Sequence, residues 1–205
     1  MIYTFQQSGK MLDFLYNLIT VVVTVVMKPK GTGSTDTIEP NFRKEYCEKA
    51  RIEVKNNDRY CLFYALELAR KFHDQKEIER YNKKEPTSIP RNELKGRKAF
   101  QNFINDLEAQ RGNVLRLLKE ANIPIDLSSY GIDEAERVQK YYDVKYPETY
   151  RIIIMDNNPA IKPLWCAPFC RYRYQVSIYY ENAHYDALKS IGQYFYGQGV
   201  KYCIG

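Results

Sequence analysis

Hydrophobic and polar positions along this chain change period three times. The stretch Leu15–Met27, LYNLITVVVTVVM, is the most apolar run and is dominated by Val, Ile and Thr. β-Branched residues suit a pleated strand better than a helix, so the run predicts a strand over 18–27. A membrane anchor and a signal peptide are the alternatives. A membrane helix needs about 18 or more uncharged apolar residues, and Asp13 and Lys28 bracket this run. A signal peptide needs small residues at its cleavage site, and Met27-Lys28-Pro29-Lys30 supplies none. Residues 28–40, KPKGTGSTDTIEP, are polar and rich in Gly, Ser, Thr and Pro, which reads as a linker. The expected organisation is therefore an N-terminal strand and linker over 1–40 and a domain over 41–205.

Helical spacing comes next. Ile52 and Val54 alternate with charges in a short strand candidate over Ala50–Lys55. Beyond it Leu62, Ala65, Leu66, Ala69 and Phe72 fall on one helical face, with Asp58 as the expected N-cap. Residues 74–96 are charged and carry Pro86, Pro90 and Gly96, which predicts mostly loop. A single long helix is expected from Arg97 to Ala121, with Phe100, Phe103, Ile104, Leu107, Val114, Leu115 and Leu118 on its inner face and Gly112 as its weak point. A short helix is expected over Asp133–Tyr142.

The last third turns to strands. Tyr150–Met155 is a continuous apolar run of buried-strand length. Residues 156–173, with three prolines, read as an excursion, and Tyr174–Tyr180 alternates as a strand. A turn at Glu181-Asn182-Ala183 leads into His184-Tyr185-Asp186. The fold class is α+β, a small mixed sheet flanked by helices.

Composition adds little to this. With 44% hydrophobic and 27% charged residues the chain is of ordinary globular type and can bury a core without disulfides or metal. A net charge of +6 is compatible with nucleic acid or an acidic protein partner and requires neither. Five irregularly spaced cysteines argue against a secreted disulfide framework and for free thiols in a reducing, intracellular compartment, nuclear or cytoplasmic.

The candidate chemistry rests on scarcity. There are two histidines. His73, between Lys71 and Asp74 at the end of the first helix, reads as a solvated C-terminal residue. His184 follows a strand and precedes an acid two positions on, which an extended chain places on the same face. Thiol attack on a carbonyl needs a thiolate, a base and a group that orients the base. Cys61, opening a helix, lies where unpaired amides and the helix dipole favour a negative sulfur. Free amides around Asp58, Arg59 and Tyr60 would serve an oxyanion. A cysteine at this place is otherwise a small buried apolar residue.

Asp58-Arg59-Tyr60-Cys61-Leu62-Phe63-Tyr64-Ala65-Leu66 resembles the signature of the ovarian-tumour (OTU) cysteine peptidases: an acid three positions before a Cys, then Leu-Phe and a helix. Val176–Leu188, ending in His184-Tyr185-Asp186, resembles that family's closing strand. The resemblance implies an OTU-like architecture and a peptidase acting on ubiquitin or ubiquitin-like proteins. It makes Cys61 the nucleophile, His184 the base, Asp186 the orienter, and Asp58, Arg59 and Tyr60 the oxyanion loop. The family's usual Gly-Asn before the cysteine is Arg59-Tyr60 here, a stiffer pair.

A second similarity covers more of the chain. Gln7-Ser8, the Val-rich strand, Lys28–Gly33, Asn57–Cys61, His184–Ile191, Phe195 and Tyr202-Cys203 are similar to the region before the protein-primed B-family DNA polymerases of Maverick/Polinton-type transposons. That similarity implies a place just ahead of a zinc module and the polymerase, and DNA as a partner through that context. No polymerase or exonuclease motif is present in these residues. It also favours the strand over a membrane anchor at 18–27.

Three weaker candidates complete the picture. Cys166-x₃-Cys170 has near-metal spacing but no second Cys/His pair to complete four ligands, so neither metal nor cofactor is expected. Arg171-Tyr172-Arg173-Tyr174 interleaves cations and aromatics as a single-strand-binding surface would, but reads more simply as a strand edge. Leu94–Lys98 reads as a solvated helix start. Two function classes remain: an OTU-like thiol isopeptidase, and a catalytically silent, nucleic-acid-associated module of a DNA polymerase polyprotein.

Overall fold

The computed structural model describes residues 30–31, 49–87, 89–94, 96–157, 162–168 and 171–196. The run 18–27 and Cys47, Cys170 and Cys203 lie outside the described residues. The fold is α+β. Five strands form one mixed sheet in the order β2 (Arg51–Ile52), β7 (His184–Leu188), β6 (Tyr174–Glu181), β4 (Tyr150–Met155), β5 (Trp165–Cys166). β6 and β4 are parallel and every other pair is antiparallel. A separate two-residue ladder joins β1 (Lys30–Gly31) to β3 (Tyr130–Gly131).

The run YRIIIM is apolar throughout because β4 is covered on both faces. Ile152 and Ile154 enter the main core, while Ile153 and Met155 enter a second cluster with Tyr179, Leu188, Ile191 and Tyr194. The strand period of two thus sorts one continuous apolar run into two cores. The second cluster is covered by α6 (Ile191–Tyr196).

On the main face lies α1 (Cys61–Phe72), packed on β6 and β7 and against α4 (Leu107–Glu120). The sequence suggests one apolar face, yet every residue from Cys61 to Lys71 is buried. The charged residues of its second half are paired with one another: Arg70 donates from Nε and Nη2 to the two oxygens of Glu67, each at 3.0 Å. Burial pushes the Glu67 carboxyl up, but Arg70 and Lys71 outweigh it and hold the group at about 2.

Three expectations are corrected. Residues 74–96 are not mostly loop: α2 (Asp74–Asn82) and a 3₁₀ turn (Arg91–Glu93) occupy them. α2 has little apolar surface of its own and is fixed from afar, Glu77 accepting from Tyr174 Oη at 2.7 Å and from Arg173 Nη1 at 3.1 Å. The single long helix is two, α3 (Arg97–Asn105) and α4, broken at Asp106. Asp106 leaves helical geometry and caps α4 through Oδ1, which accepts from Ala109 N at 2.9 Å. Gly112 continues α4, and Leu107 and Leu115 of the expected inner face are exposed. α5 (Ile132–Lys145) runs longer than the pattern suggests.

Candidate active site

β6 and β7 are joined by a two-residue turn whose Asn182 and Ala183 both have positive φ, 50° and 59°. Two left-handed residues give the hairpin a twist that matches its strands. The turn fixes the register Glu181↔His184, Tyr180↔Tyr185 and Tyr179↔Asp186. Register in turn carries His184 and Asp186 to the sheet margin beside β2, where the chain running from β2 into α1 meets them.

That connecting chain holds both side chains by its backbone. Val54 N donates to Asp186 Oδ1 at 2.7 Å, and His184 Nε2 lies 3.2 Å from Val54 O. The same Nε2 is 3.5 Å from Asp186 Oδ1. Arg51 closes a salt bridge on the other carboxylate oxygen, Oδ2, and its Nη1 lies 3.9 Å from Glu181. Asp186 is therefore held on both oxygens, and its pKa is lowered: burial raises it, but the bond to His184, the Arg51 charge and the Val54 amide prevail.

With Nε2 turned to Val54 O and Asp186, Nδ1 is the nitrogen not engaged by them. It is buried and makes no regular hydrogen bond, while the Cys61 sulfur is near enough to bear on the charge of the ring. Burial disfavours the imidazolium, but Asp186 and Cys61 together lift the His184 pKa to about 9. Of the three residues expected in one site, His184 and Asp186 lie together on β7, and Cys61, 123 and 125 residues earlier in the chain (184 − 61; 186 − 61), is near enough to act on the charge of the His184 ring.

The loop before Cys61 differs in detail from expectation. Asp58 is not the N-cap: α1 starts at Cys61 with Tyr60 in that place and no side-chain cap. The Asp58 carboxylate ties the loop instead, accepting from Tyr60 N at 3.0 Å and from Tyr64 Oη at 3.0 Å. Tyr60 N is thus committed and does not serve as an oxyanion donor in this state. The amides of Cys61 and Leu62, first in the helix, have no intrahelical acceptor, since the first closing bonds run from Phe63 N and Tyr64 N to Tyr60 O. Arg59 Nη1 donates to Leu127 O at 2.8 Å and Tyr60 Oη to Ile125 O at 3.0 Å, which pins the stiff pair to the segment before β3.

A scan against protein-family models gives no match, and searches of the curated proteins and of the solved structures give none.

Outside this cluster the candidates separate. His73 is not solvated: it is buried, stacks on Tyr174 with centroids 4.8 Å apart, and directs Nε2 to Gln175 O at 3.0 Å. Its partners are far along the chain, which no local pattern reveals. Cys166 lies on the edge strand with Arg151 Nη2 at 3.7 Å from its sulfur, and no metal-ligand cluster occurs among the described residues. Arg173 and Tyr174 turn onto Glu77, and Tyr172 Oη reaches Asp143 at 3.0 Å, so these groups are engaged within the fold. Gly96 and Arg97 start α3 as expected of a helix start. Among the described residues no helix is long and apolar enough to cross a membrane. Sequence reasoning missed Arg51, a basic residue with no local signal of its role.

Proposed function

We propose that this domain is a thiol peptidase of the OTU type that cleaves ubiquitin-type isopeptide bonds, in association with a transposon-type DNA polymerase. The observation that carries the reading is the state of His184: one nitrogen is directed at Val54 O and Asp186, the other is buried and unpaired, and Cys61 at the start of a buried helix is near enough to act on the charge of the ring. In this reading His184 Nδ1 takes the thiol proton and the sulfur attacks the carbonyl carbon. The amides of Cys61 and Leu62 receive the oxyanion. The imidazolium returns its proton to the leaving amine, and water, deprotonated by the same nitrogen, hydrolyses the thioester. Asp186 keeps the ring aligned without taking the proton. The Cys61 and His184 motifs and their OTU-like order support the same assignment.

The test is a ubiquitin bearing a C-terminal electrophile, together with di-ubiquitin. The expected result is an adduct on Cys61 and turnover of di-ubiquitin, both lost in Cys61→Ala. Absence of both the adduct and the turnover would overturn the reading. One observation favours the second class: Cys61 has no exposed surface in this state. The alternative is a silent, nucleic-acid-associated module, which binds single-stranded DNA with an affinity that falls steeply with salt.

A further inference from the structure

The two-residue ladder between β1 and β3 stands apart from the main sheet, and its Tyr130 meets residues on either side of Cys61 in the chain. Its register pairs Lys30 with Gly131 and Gly31 with Tyr130. Tyr130 is fully buried, and its ring meets Tyr60 at 5.6 Å and Phe63 at 5.0 Å, between centroids. Those two residues flank Cys61 in the chain. The Gly131 amide is already donated to Glu134 Oε2 at 2.7 Å. That leaves Gly31 and Tyr130 as the pair that can exchange both an amide and a carbonyl.

Directly opposed residues in an antiparallel pair share a face of the ladder. Position 31 is thus on the face where Tyr130 meets Tyr60 and Phe63, and glycine puts no side chain there. Cys61 itself is fully buried. An extended strand of this chain accordingly lies alongside the nucleophile's neighbours while the nucleophile is closed.

We propose that Tyr130–Gly131 is a strand-addition site for an extended peptide with glycine opposite Tyr130, and that Lys30–Gly31 is its intramolecular occupant. Resting on the peptidase reading above, this makes the substrate class an extended, glycine-containing segment, added antiparallel to β3 and led past Tyr60 to Cys61. The chain's own segment competes with it for the same backbone groups.

The test uses the full chain and iodoacetamide, a reagent small enough to need no recognition. Labelling of Cys61 is followed by mass spectrometry on the tryptic peptide 60–70. Gly31→Pro removes the amide that pairs with Tyr130. It is expected to raise the labelling rate about tenfold, the effect of losing one or two backbone hydrogen bonds. A synthetic peptide of residues 27–33, supplied at roughly millimolar concentration to match the tethered segment, is expected to slow it again. No rise in Gly31→Pro overturns the proposal. So does a rise that the peptide does not reverse, which is also the result a misfolded variant gives. His184→Ala, labelled in parallel, reports on the peptidase reading by itself: an unchanged Cys61 rate there removes the Cys–His pair, whatever position 31 does.

Discussion

Arg51 and Asp186 form a salt bridge at the margin of the sheet, with the aspartate side chain 3% and the arginine side chain 17% exposed. The pair ties β2 to β7, which is the junction that holds His184 at its backbone partner Val54. Arg51 thus acts on the ring through the carboxylate and not by touching Cys61. Arg51→Ala leaves a buried carboxylate without its cation, and such a loss costs about 3 kcal/mol. The expected outcome is a lower urea midpoint and slower Cys61 labelling by electrophilic ubiquitin at a temperature where the variant is still folded. Arg51→Lys is expected to recover only part of both, because an ammonium cannot reproduce the guanidinium's planar fork. An unchanged midpoint in Arg51→Ala would remove Arg51 from the site.

The same geometry dictates how Asp186 must be tested. Asp186→Ala strips Arg51, the Val54 amide and His184 Nε2 of one shared acceptor, so it is expected to cost about 3–5 kcal/mol and to lower activity by unfolding. Asp186→Asn keeps an oxygen in place and is the informative change. Cys61→Ala is expected to melt close to wild type and abolish di-ubiquitin turnover, and His184→Ala to lose nearly as much, since members of such a unit do not add. Asp186→Asn is expected to lose less than either. Melting curves and turnover on the same preparations decide it, and a Cys61→Ala protein with full turnover would refute the nucleophile assignment.

Titration gives a separate handle on the same pair. Burial pushes the His184 pKa down, and Asp186 and Cys61 overcome it to reach about 9 against an ordinary 6.5. A basic group raised in this way stabilises the fold fully below its ordinary value, and the contribution is lost as pH rises through the folded value. Wild-type stability is therefore expected to fall between about pH 6.5 and 9, and His184→Ala to lack that decline. In Cys61→Ala the sulfur's share disappears, so the imidazole midpoint followed by NMR is expected to drop below that of wild type. An unmoved midpoint would mean that the sulfur does not act on the ring.

How much of this was legible in the sequence depends on distance along the chain. β4, β6, β7 and α1 show their periods locally, and Cys61, His184 and Asp186 stand out as candidates by neighbours within a few residues. The missed elements are those fixed from afar. α2 carries few apolar residues and rests on Glu77, whose partners Arg173 and Tyr174 are 96 and 97 positions away. Arg51 meets Asp186 across 135 positions. The break at Asp106 was readable as a cap three residues before Ala109, but Gly112 drew attention to the wrong place because low helix propensity alone does not end a helix whose far side is open. Full burial of α1 was hidden because Arg70 and Lys71 look solvent-facing until Glu67 neutralises them within the core.

His73 supplies the last prediction, in the acid range. Burial pushes its imidazole down to about 4, against an ordinary 6.5, with Lys76 adding to the effect while the Gln175 carbonyl and Glu77 oppose it. The ring therefore stays neutral in the fold while the unfolded chain takes up a proton. A group depressed in this way contributes stability that is present above 6.5 and lost as pH falls towards about 4. The gap corresponds to roughly 3 kcal/mol at about 1.4 kcal/mol per unit. The carboxyl of Glu67, held at about 2, titrates below 4.5 and leaves the window between 4.5 and 6.5 to His73. His73→Phe keeps a ring on Tyr174 but removes the donor to Gln175 O, and is expected to cost about 1 kcal/mol at neutral pH. Urea midpoints of wild type are expected to fall across that window and those of His73→Phe to stay level. Parallel declines in the two proteins would assign the acid sensitivity to another group.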